Sequence, residues 1–416
     1  MADRVILHCD CNSFFASVET ALNPAYKNVP MAVCGSESDR HGIVLAKNEL
    51  AKKYGIKTAE TVYSARKKCP SLVIAHPHYD EYTKYSRMVN SIYARYTDMI
   101  EPFGIDESWL DVTASRKLFG SGFDIAERIR REVREEIGIT ISVGVSFNKV
   151  FAKLGSDYKK PDATTVISRE NVEKIVYPLP VSDLLFVGKK TDDQLRLMGV
   201  KTIGDLARIP REVLVSRFGK FGDQLYRNSQ GLDDSPVARV GEHEDQKSIG
   251  FGFTFRHDLI SREECKIAIN YLSDEVARRL RVSEMVCNTV QLSIKDEFLN
   301  VIQRQRGLKH PTDIAHDISA LAYDILINEW NESKPIRMLT VTAQNLTRAE
   351  FSADQIDIFA PQDDARREKD KKQEQTVDKI RQKYGFASIV NGAIVDNDIG
   401  VFDRNDKRER KEDDEY

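Results

Sequence analysis

Long apolar runs are missing from this 416-residue chain. None approaches the roughly 18 residues that a bilayer-spanning helix needs, so no membrane segment is expected. The opening stretch, MADRVILHCD, has no basic region followed by a long apolar one. No secretory signal is visible there, and the expected location is cytoplasmic. Cysteine is sparse: six residues, at 9, 11, 34, 69, 265 and 287, with no CxxC spacing. That excludes a disulfide framework and a zinc site, and the thiols read as reduced. One-sided charge is also missing, since 62 Lys and Arg face 65 Asp and Glu for a net charge of −3. Any electrostatic footprint for a polyanion must therefore be local. No internal repeat at a short fixed period is found.

What is present suits a soluble globular protein: 41% hydrophobic and 31% charged residues. At this length about two to four domains are expected. Residues 4–10 (RVILHCD) read as a buried strand ending at Asp10. CNSFFASVETAL follows with Phe14, Phe15, Val18 and Leu22 at helical spacing, and Asn12 or Ser13 is the N-cap candidate. Residues 23–80 read as a small insert of short strands and helices. Residues 81–99 predict one long amphipathic helix. EPFGIDESWLDVT predicts two short strands around a turn at Ile105, Asp106 and Glu107. A helix over 123–137, a strand TISVGVSFN and a helix KVFAKLGSDYKK stopped by Pro161 follow. Together these predict an α+β sheet with its helices on one face.

Residues 171–235 predict short helices in a helix-hairpin-helix shape, with Gly188 at the turn and Thr191 as N-cap. Residues 233–246 are polar and contain Pro and Gly, and read as a linker. Residues 247–350 predict a second β-α-β-β-α-β unit. Residues 360–384 are a mixed-charge run, read as a solvated helix or tail, and the last 16 residues are read as disordered.

The most informative pattern is acidic. Asp10 ends a buried strand, and Asp106 with Glu107 occupies a turn. Taken singly, an Asp after a strand can be a helix cap and an Asp-Glu in a turn can be solvated. Buried carboxylates are costly unless paired or metal-bound. Hard oxygen ligands suit magnesium, and three carboxylates from adjacent strands could hold two ions about 3.5–4 Å apart.

These segments carry a resemblance. HCDCNSFFASVE is similar to the first palm motif of Y-family (lesion-bypass) DNA polymerases, of the bacterial polymerase IV and polymerase V catalytic-subunit kind. GIDESWLD resembles their Ser-Ile-Asp-Glu-Ala motif, and SVGVSFNKVFAKLGSDYKKPD their third segment. The resemblance spans residues 4 to about 350. It implies a right hand with a ferredoxin-like palm (1–22 and 81–170) and small inserted fingers (23–80). A helix-hairpin-helix thumb (171–235), a linker (236–246), a β-α-β-β-α-β little finger (247–350) and a tail (351–416) complete it. It implies low-fidelity, template-directed DNA synthesis past lesions, by two-metal nucleotidyl transfer from dNTP to a primer 3′-OH, without proofreading.

The resemblance also implies roles. Asp10, Asp106 and Glu107, with the carbonyl of Cys11, would hold two magnesium ions. Main-chain amides near Ser13, Phe14 and Phe15, with Lys52 and Lys160, would bind the triphosphate. Phe15 would be the steric gate that rejects a ribose 2′-OH. Gly188 would meet a DNA phosphate through its backbone. Arg278, Arg279, Arg281, Arg304 and Arg306 would grip primer-template DNA without reading sequence. Gln355, Ile356, Ile358 and Phe359 resemble a short sliding-clamp-binding peptide. A monomer is expected. Departures are Ala46 and Glu49 where many members have Thr and Tyr, Asn12 for Asp, Lys52 for Arg, and Phe186-Val187-Gly188 for Gly-x-Gly. Two other readings remain open: a nucleotidyl cyclase, which would need no thumb or clamp peptide, and an inactive DNA-binding scaffold.

Overall fold

The computed structural model describes residues 4–36, 42–242, 246–331, 334–351, 364–395 and 397–401. The chain forms two compact units: Met1–Gly35 with Ile43–His243, and Ser36–Gly42 with Glu244–Tyr416.

The first unit is built on β1 (Ile6–Cys11), whose six residues are all buried. After it come α1 (Phe14–Leu22), β2 (Met31–Cys34), β3 (Val44–Lys47), α2 (Glu49–Lys52), α3 (Val62–Lys68), β4 (Val73–Ala75) and α4 (Tyr79–Tyr93). The run continues with β5 (Ile100–Pro102), β6 (Glu107–Asp111), α5 (Arg116–Phe119), α6 (Gly122–Glu132), β7 (Ile141–Ser146), α7 (Lys149–Tyr158) and β8 (Thr164–Val166). The main sheet has the order β5-β6-β1-β7-β8, and β2, β3 and β4 make a separate small sheet. β1 lies antiparallel to both β6 and β7, so the first strand of the chain is central.

Alternation along β1 splits its residues between two faces. Leu7, Cys9 and Cys11 join a core with Val18 of α1, Tyr82 and Ile92 of α4, and Ile125 and Ile129 of α6. His8 and Asp10 lie on the opposite face. The sequence predicts all helices on one face, but α7 packs on this second one. Two glycines permit it. A Cβ on Gly144 would come 1.8 Å from the Ala152 carbonyl oxygen, and one on Gly155 would come 2.9 Å from the Gly144 Cα. Without side chains there, helix and sheet meet backbone to backbone.

Other local expectations shift. The segment 81–99 is helical only to Tyr93; Thr97 Oγ1 then donates to the Asp111 carbonyl and leads the chain into β5. α6 ends at Glu132 and continues as a π-turn, Val133–Ile137, closed by Gly138 at φ 81°. Neither Asn12 nor Ser13 caps α1 with its side chain. Ser13 holds the cap position at φ 49°, and Asn12 instead binds Thr140 and Ser142.

A helical region follows: α8 (Val172–Ile175), α9 (Lys189–Leu197), α10 (Ile203–Ala207), α11 (Arg211–Phe218) and α12 (Lys220–Ser229), around Leu195, Leu206, Leu214 and Leu225. α9 begins at Lys189, so Gly188 is its N-cap and Thr191 lies inside the helix. Residues 235–240, which the sequence presents as linker, are packed. Arg4 donates to the Ser235 carbonyl (2.8 Å), Ala238 N–H to Glu101 (3.0 Å), and Val237 is buried against Ile6 and Trp109.

The second unit contains β9 (Ser248–Leu259), α13 (Arg262–Val282), β10 (Met285–Asp296), β11 (Val301–Thr312), α14 (Ala315–Glu329) and β12 (Ile336–Arg348), in the sheet order β11-β10-β12-β9. Its helices cover one face through Val290, Leu292 and Ile294 on β10 and Leu272, Val276 and Ile325 on the helices. The mixed-charge run forms α15 (Asp364–Tyr384), and Ile394, Ile399 and Val401 beyond it enter the same core.

Candidate active site

Strand pairing alone places two of the three expected acids together, because Asp10 on β1 is the register partner of Glu107 on β6. Asp106 is the last turn residue before β6, and its carbonyl accepts the Cys11 N–H (3.0 Å). Among the described residues, ligand atoms of His8, Asp10 and Glu107 all lie within 4.8 Å of one another; the Asp106 carboxylate is not in that group.

The acids are compensated by lysines on α7 and just past its end. Lys160 Nζ is 2.6 Å from Asp10 Oδ2 and 2.8 Å from Asp157 Oδ1. Lys153 is ion-paired with Glu107 and lies 3.8 Å from Asp157. His8 is fully buried, its Nε2 3.3 Å from Glu107 Oε2 and its Nδ1 2.8 Å from Ser156 Oγ. The Ser156 hydroxyl also reaches the Lys153 carbonyl (2.8 Å), so the His8 tautomer decides which ring nitrogen donates. Burial keeps the His8 imidazole below its ordinary pKa.

Environment pushes the carboxyls apart. Burial raises Asp10 to about 7 against the pull of Lys160. Burial, then the like charge of Glu107, also raises Asp106. Burial acts upward on Glu107 too, but the hydrogen bond from His8 and the Lys153 ammonium outweigh it and hold that carboxyl at about 2. Buried carboxylates facing ammonium groups form a donor set that a divalent cation fits, since hard oxygens and strong negative potential suit magnesium.

Phe15 stacks on Tyr82, ring centroids 4.0 Å apart and 10° from parallel, with Tyr79 edge-on at 6.1 Å. The Tyr82 hydroxyl donates to the buried Glu19 (2.5 Å), which also meets His78 Nδ1 (2.9 Å). A core aromatic would be enclosed on all sides; this ring is only part-buried and is fixed from behind. The first turn of α1, beginning at Phe14, has no side-chain cap. Ser13 Oγ donates to Glu49 Oε1 (3.2 Å), and Lys52 is paired with the same oxygen at 2.6 Å. Ala46 lies on β3.

The residues expected to grip DNA are differently placed. Arg281 is 9% exposed and locked between Glu374 and Asp378 of α15. Its guanidinium donates to Glu374, Asp378 and the Asp313 carbonyl, so it braces the unit internally. Arg278 and Arg279 both bond the buried Glu275, and Arg279 lies over the Phe251 ring at 5.0 Å. Arg304 and Arg306 pair opposite Leu292 and Val290, on the helix-bearing face, and bridge to Asp324 and Glu329 of α14. The helix-free face carries Gln291, Ser293, Gln303, Gln305, Thr340 and Thr342. Gly188 is open, with nothing within 4 Å of a Cβ built there. Gln355, Ile356, Ile358 and Phe359 lie outside the described residues.

Lys153, Asp157, Ser156, His8 and Glu19 are absent from the sequence-derived set. For two of them a signal exists: 153, 157 and 160 are spaced i, i+4, i+7, one face of a helix.

Comparison with known proteins gives these contacts a context. Residues 9–157 match the impB/mucB/samB family, residues 246–358 its C-terminal domain, and residues 182–233 the DNA polymerase-iota thumb domain. DNA polymerase IV of Acetivibrio thermocellus is 46% identical over 94% of this chain and 98% of its own length. The chain belongs to the Y-family of lesion-bypass DNA polymerases. DNA polymerase IV 1 of Bacillus subtilis is 34% identical over 94% of this chain and 93% of its own. A solved Y-family chimera of Dbh and Dpo4 has a TM-score of 0.73 at 24% identity, covering 82% of this chain and 98% of that one, a likeness of fold. As a Y-family member the chain is a DNA-directed DNA polymerase of the translesion class, and its α+β architecture is the right hand of that family. Among the described residues no helix is long and apolar enough to cross a membrane.

Proposed function

We propose that Asp10, Asp106 and Glu107, with the Cys11 carbonyl, hold two magnesium ions for nucleotidyl transfer from dNTP to a primer 3′-OH. The observation that carries this is the Asp10–Glu107 pairing across β1 and β6, with both acids in contact with lysine ammonium groups. When bound, the metals supply activation of the attacking hydroxyl and neutralisation of the leaving pyrophosphate.

The chain's own groups do the rest. The uncapped start of α1, at Ser13, Phe14 and Phe15, offers backbone N–H donors to the triphosphate. Lys160 and Lys52, now on Asp10 and Glu49, turn to phosphate oxygens. Phe15, backed by Tyr82, excludes a ribose 2′-OH by its volume. Residues 23–80 as small fingers leave the nascent pair lightly covered, which favours distorted templates over fidelity. Synthesis proceeds without proofreading. Palm 1–22 and 81–170, thumb 171–235 and little finger 247–350 complete the division. Primer-template DNA lies against Gly188 and, in place of the arginines first expected, the helix-free Gln, Ser and Thr face. The peptide Gln355, Ile356, Ile358 and Phe359 takes a sliding clamp, and the chain works as a cytoplasmic monomer.

Primer extension with magnesium tests the core of this. Wild type adds deoxynucleotides, and Asp106→Ala loses at least about 10³-fold in rate, the scale of an electrostatic group acting in the transition state. Wild type that extends nothing with magnesium or manganese removes the assignment. With ribonucleotides, Phe15→Ala gains incorporation over wild type; equal exclusion by both would mean the ring is only core.

A further inference from the structure

Five charged groups stand in a row across the site: Glu107, Lys153, Asp157, Lys160 and Asp10. The end members are proposed metal ligands. Asp157 touches neither; it touches both lysines. Its side chain is 50% exposed, against 5% for Asp10 and 23% for Glu107. On α7, Lys153 and Asp157 are four apart, one turn of the helix, while Lys160 follows just past the helix end at Tyr158 and reaches back to Asp157. Asp157 is thus an outer acceptor between two lysines whose inner partners are the more enclosed acids.

Divalent cations and lysine ammoniums compete for the same carboxylate oxygens. For a metal to enter, Lys153 and Lys160 must leave Glu107 and Asp10. A lysine stem has the freedom to make that move. An acceptor already in contact lowers the cost of the move, because the ammonium exchanges one carboxylate for another and not for water alone.

We infer that Asp157 is a positioning residue that draws Lys153 and Lys160 off Glu107 and Asp10 as metal enters, and so sets the metal concentration the enzyme needs. This rests on the metal reading of Asp10 and Glu107. Without the Asp157 charge, both lysines have only the ligand carboxylates as acidic partners within this row, and they compete harder. Asp157 also keeps Lys160 at the rim of the site, where a triphosphate would next receive it.

The test is Mn²⁺ binding to the full chain, followed by electron paramagnetic resonance of the free ion without DNA or nucleotide, so that turnover plays no part. Asp157→Asn is expected to weaken binding about fivefold, the scale of coupling between charges in contact. Asp157→Glu is expected to restore most of it. In a Lys153→Met, Lys160→Met background the same Asp157→Asn change should alter binding less than about twofold, since no competitor is left to hold. An equal factor in both backgrounds would mean a simple loss of negative field and would overturn the inference, as would an unchanged affinity for Asp157→Asn in the native background. Wild type that binds no Mn²⁺ would instead remove the metal reading itself, and the inference with it.

Discussion

The main sheet of the first unit and the sheet of the second both contain a β-α-β-β-α-β run, yet they differ in which strand is central. In the first unit the opening strand β1 lies between β6 and β7; in the second the closing strand β12 lies between β10 and β9. The first arrangement carries an acid, Asp10, on a strand covered on both sides and both faces. Its charge must be met by something brought to it, and Lys160, just past the end of α7, brings an ammonium. The second arrangement leaves one face that no helix covers among the described residues and lines it with Gln, Ser, Thr and Lys295. Its charges are met on the other side, by α14 and α15. The same order of elements thus yields a site under electrostatic tension in one unit and a satisfied scaffold in the other.

Removing a charge from each unit should therefore have opposite consequences. Arg281→Ala strands Glu374 and Asp378 on the second unit, where Arg281 bridges both. It is expected to cost about 3 kcal/mol in stability, the scale of breaking a buried pair from one side. The second unit would melt earlier in urea, while the salt dependence of DNA binding by the folded protein keeps its slope. Intact stability with the slope reduced by about one would make Arg281 a phosphate contact after all, and the contrast between units would fall.

A smaller effect follows from pH. Each unit has one carboxyl raised to about 7 by burial: Asp10, opposed by Lys160, and Glu374, opposed by Arg281. A raised carboxyl binds its proton more tightly folded than unfolded. Each therefore detracts from stability above pH 7, and that cost is relieved as pH falls from 7 toward the ordinary carboxylate range. For metal binding the sign reverses, since protonated Asp10 cannot ligate. The Mg²⁺ half-saturation for primer extension should rise as pH drops below 7, by about tenfold per unit at the limit. Glu107, held at about 2, adds no second step in this window. A flat metal requirement between pH 6 and 8 would mean that Lys160 keeps Asp10 ionised throughout.

What the sequence made legible follows the range of the interactions. The strand ending at Asp10, the turn at Asp106 and Glu107 and both β-α-β-β-α-β runs depend on neighbours a few residues apart, and periodicity reads these. The sheet face that α7 would cover depends on Gly144 meeting Gly155, a matter of how strands pair. His8 and Ser156 are 148 residues apart, so nothing local marks their hydrogen bond. The internal engagement of Arg281 was hidden for the same reason. Its partners lie 93 and 97 residues later, within a run that reads as a solvated charged helix.

The smallest predicted effect bears on which side of the second sheet meets DNA. Pairing decides the sides: Gln305 pairs with Gln291, which in turn pairs with Thr342, whereas the neighbouring Arg306 pairs with Val290 and bridges to α14. A face of amides and hydroxyls beside Lys295 can approach phosphates closely, so an added negative charge there is felt directly. Gln303→Glu with Gln305→Glu is expected to weaken primer-template binding about five- to tenfold at low salt, and progressively less as salt screens it. Arg304→Ala with Arg306→Ala removes two positive charges from the same strand, but charges already spent on Asp324 and Glu329. Its effect on binding should stay below about twofold, with the salt slope unchanged. If the arginine pair proves the more damaging, the helix-bearing edge grips DNA, and the polar face must have another occupant.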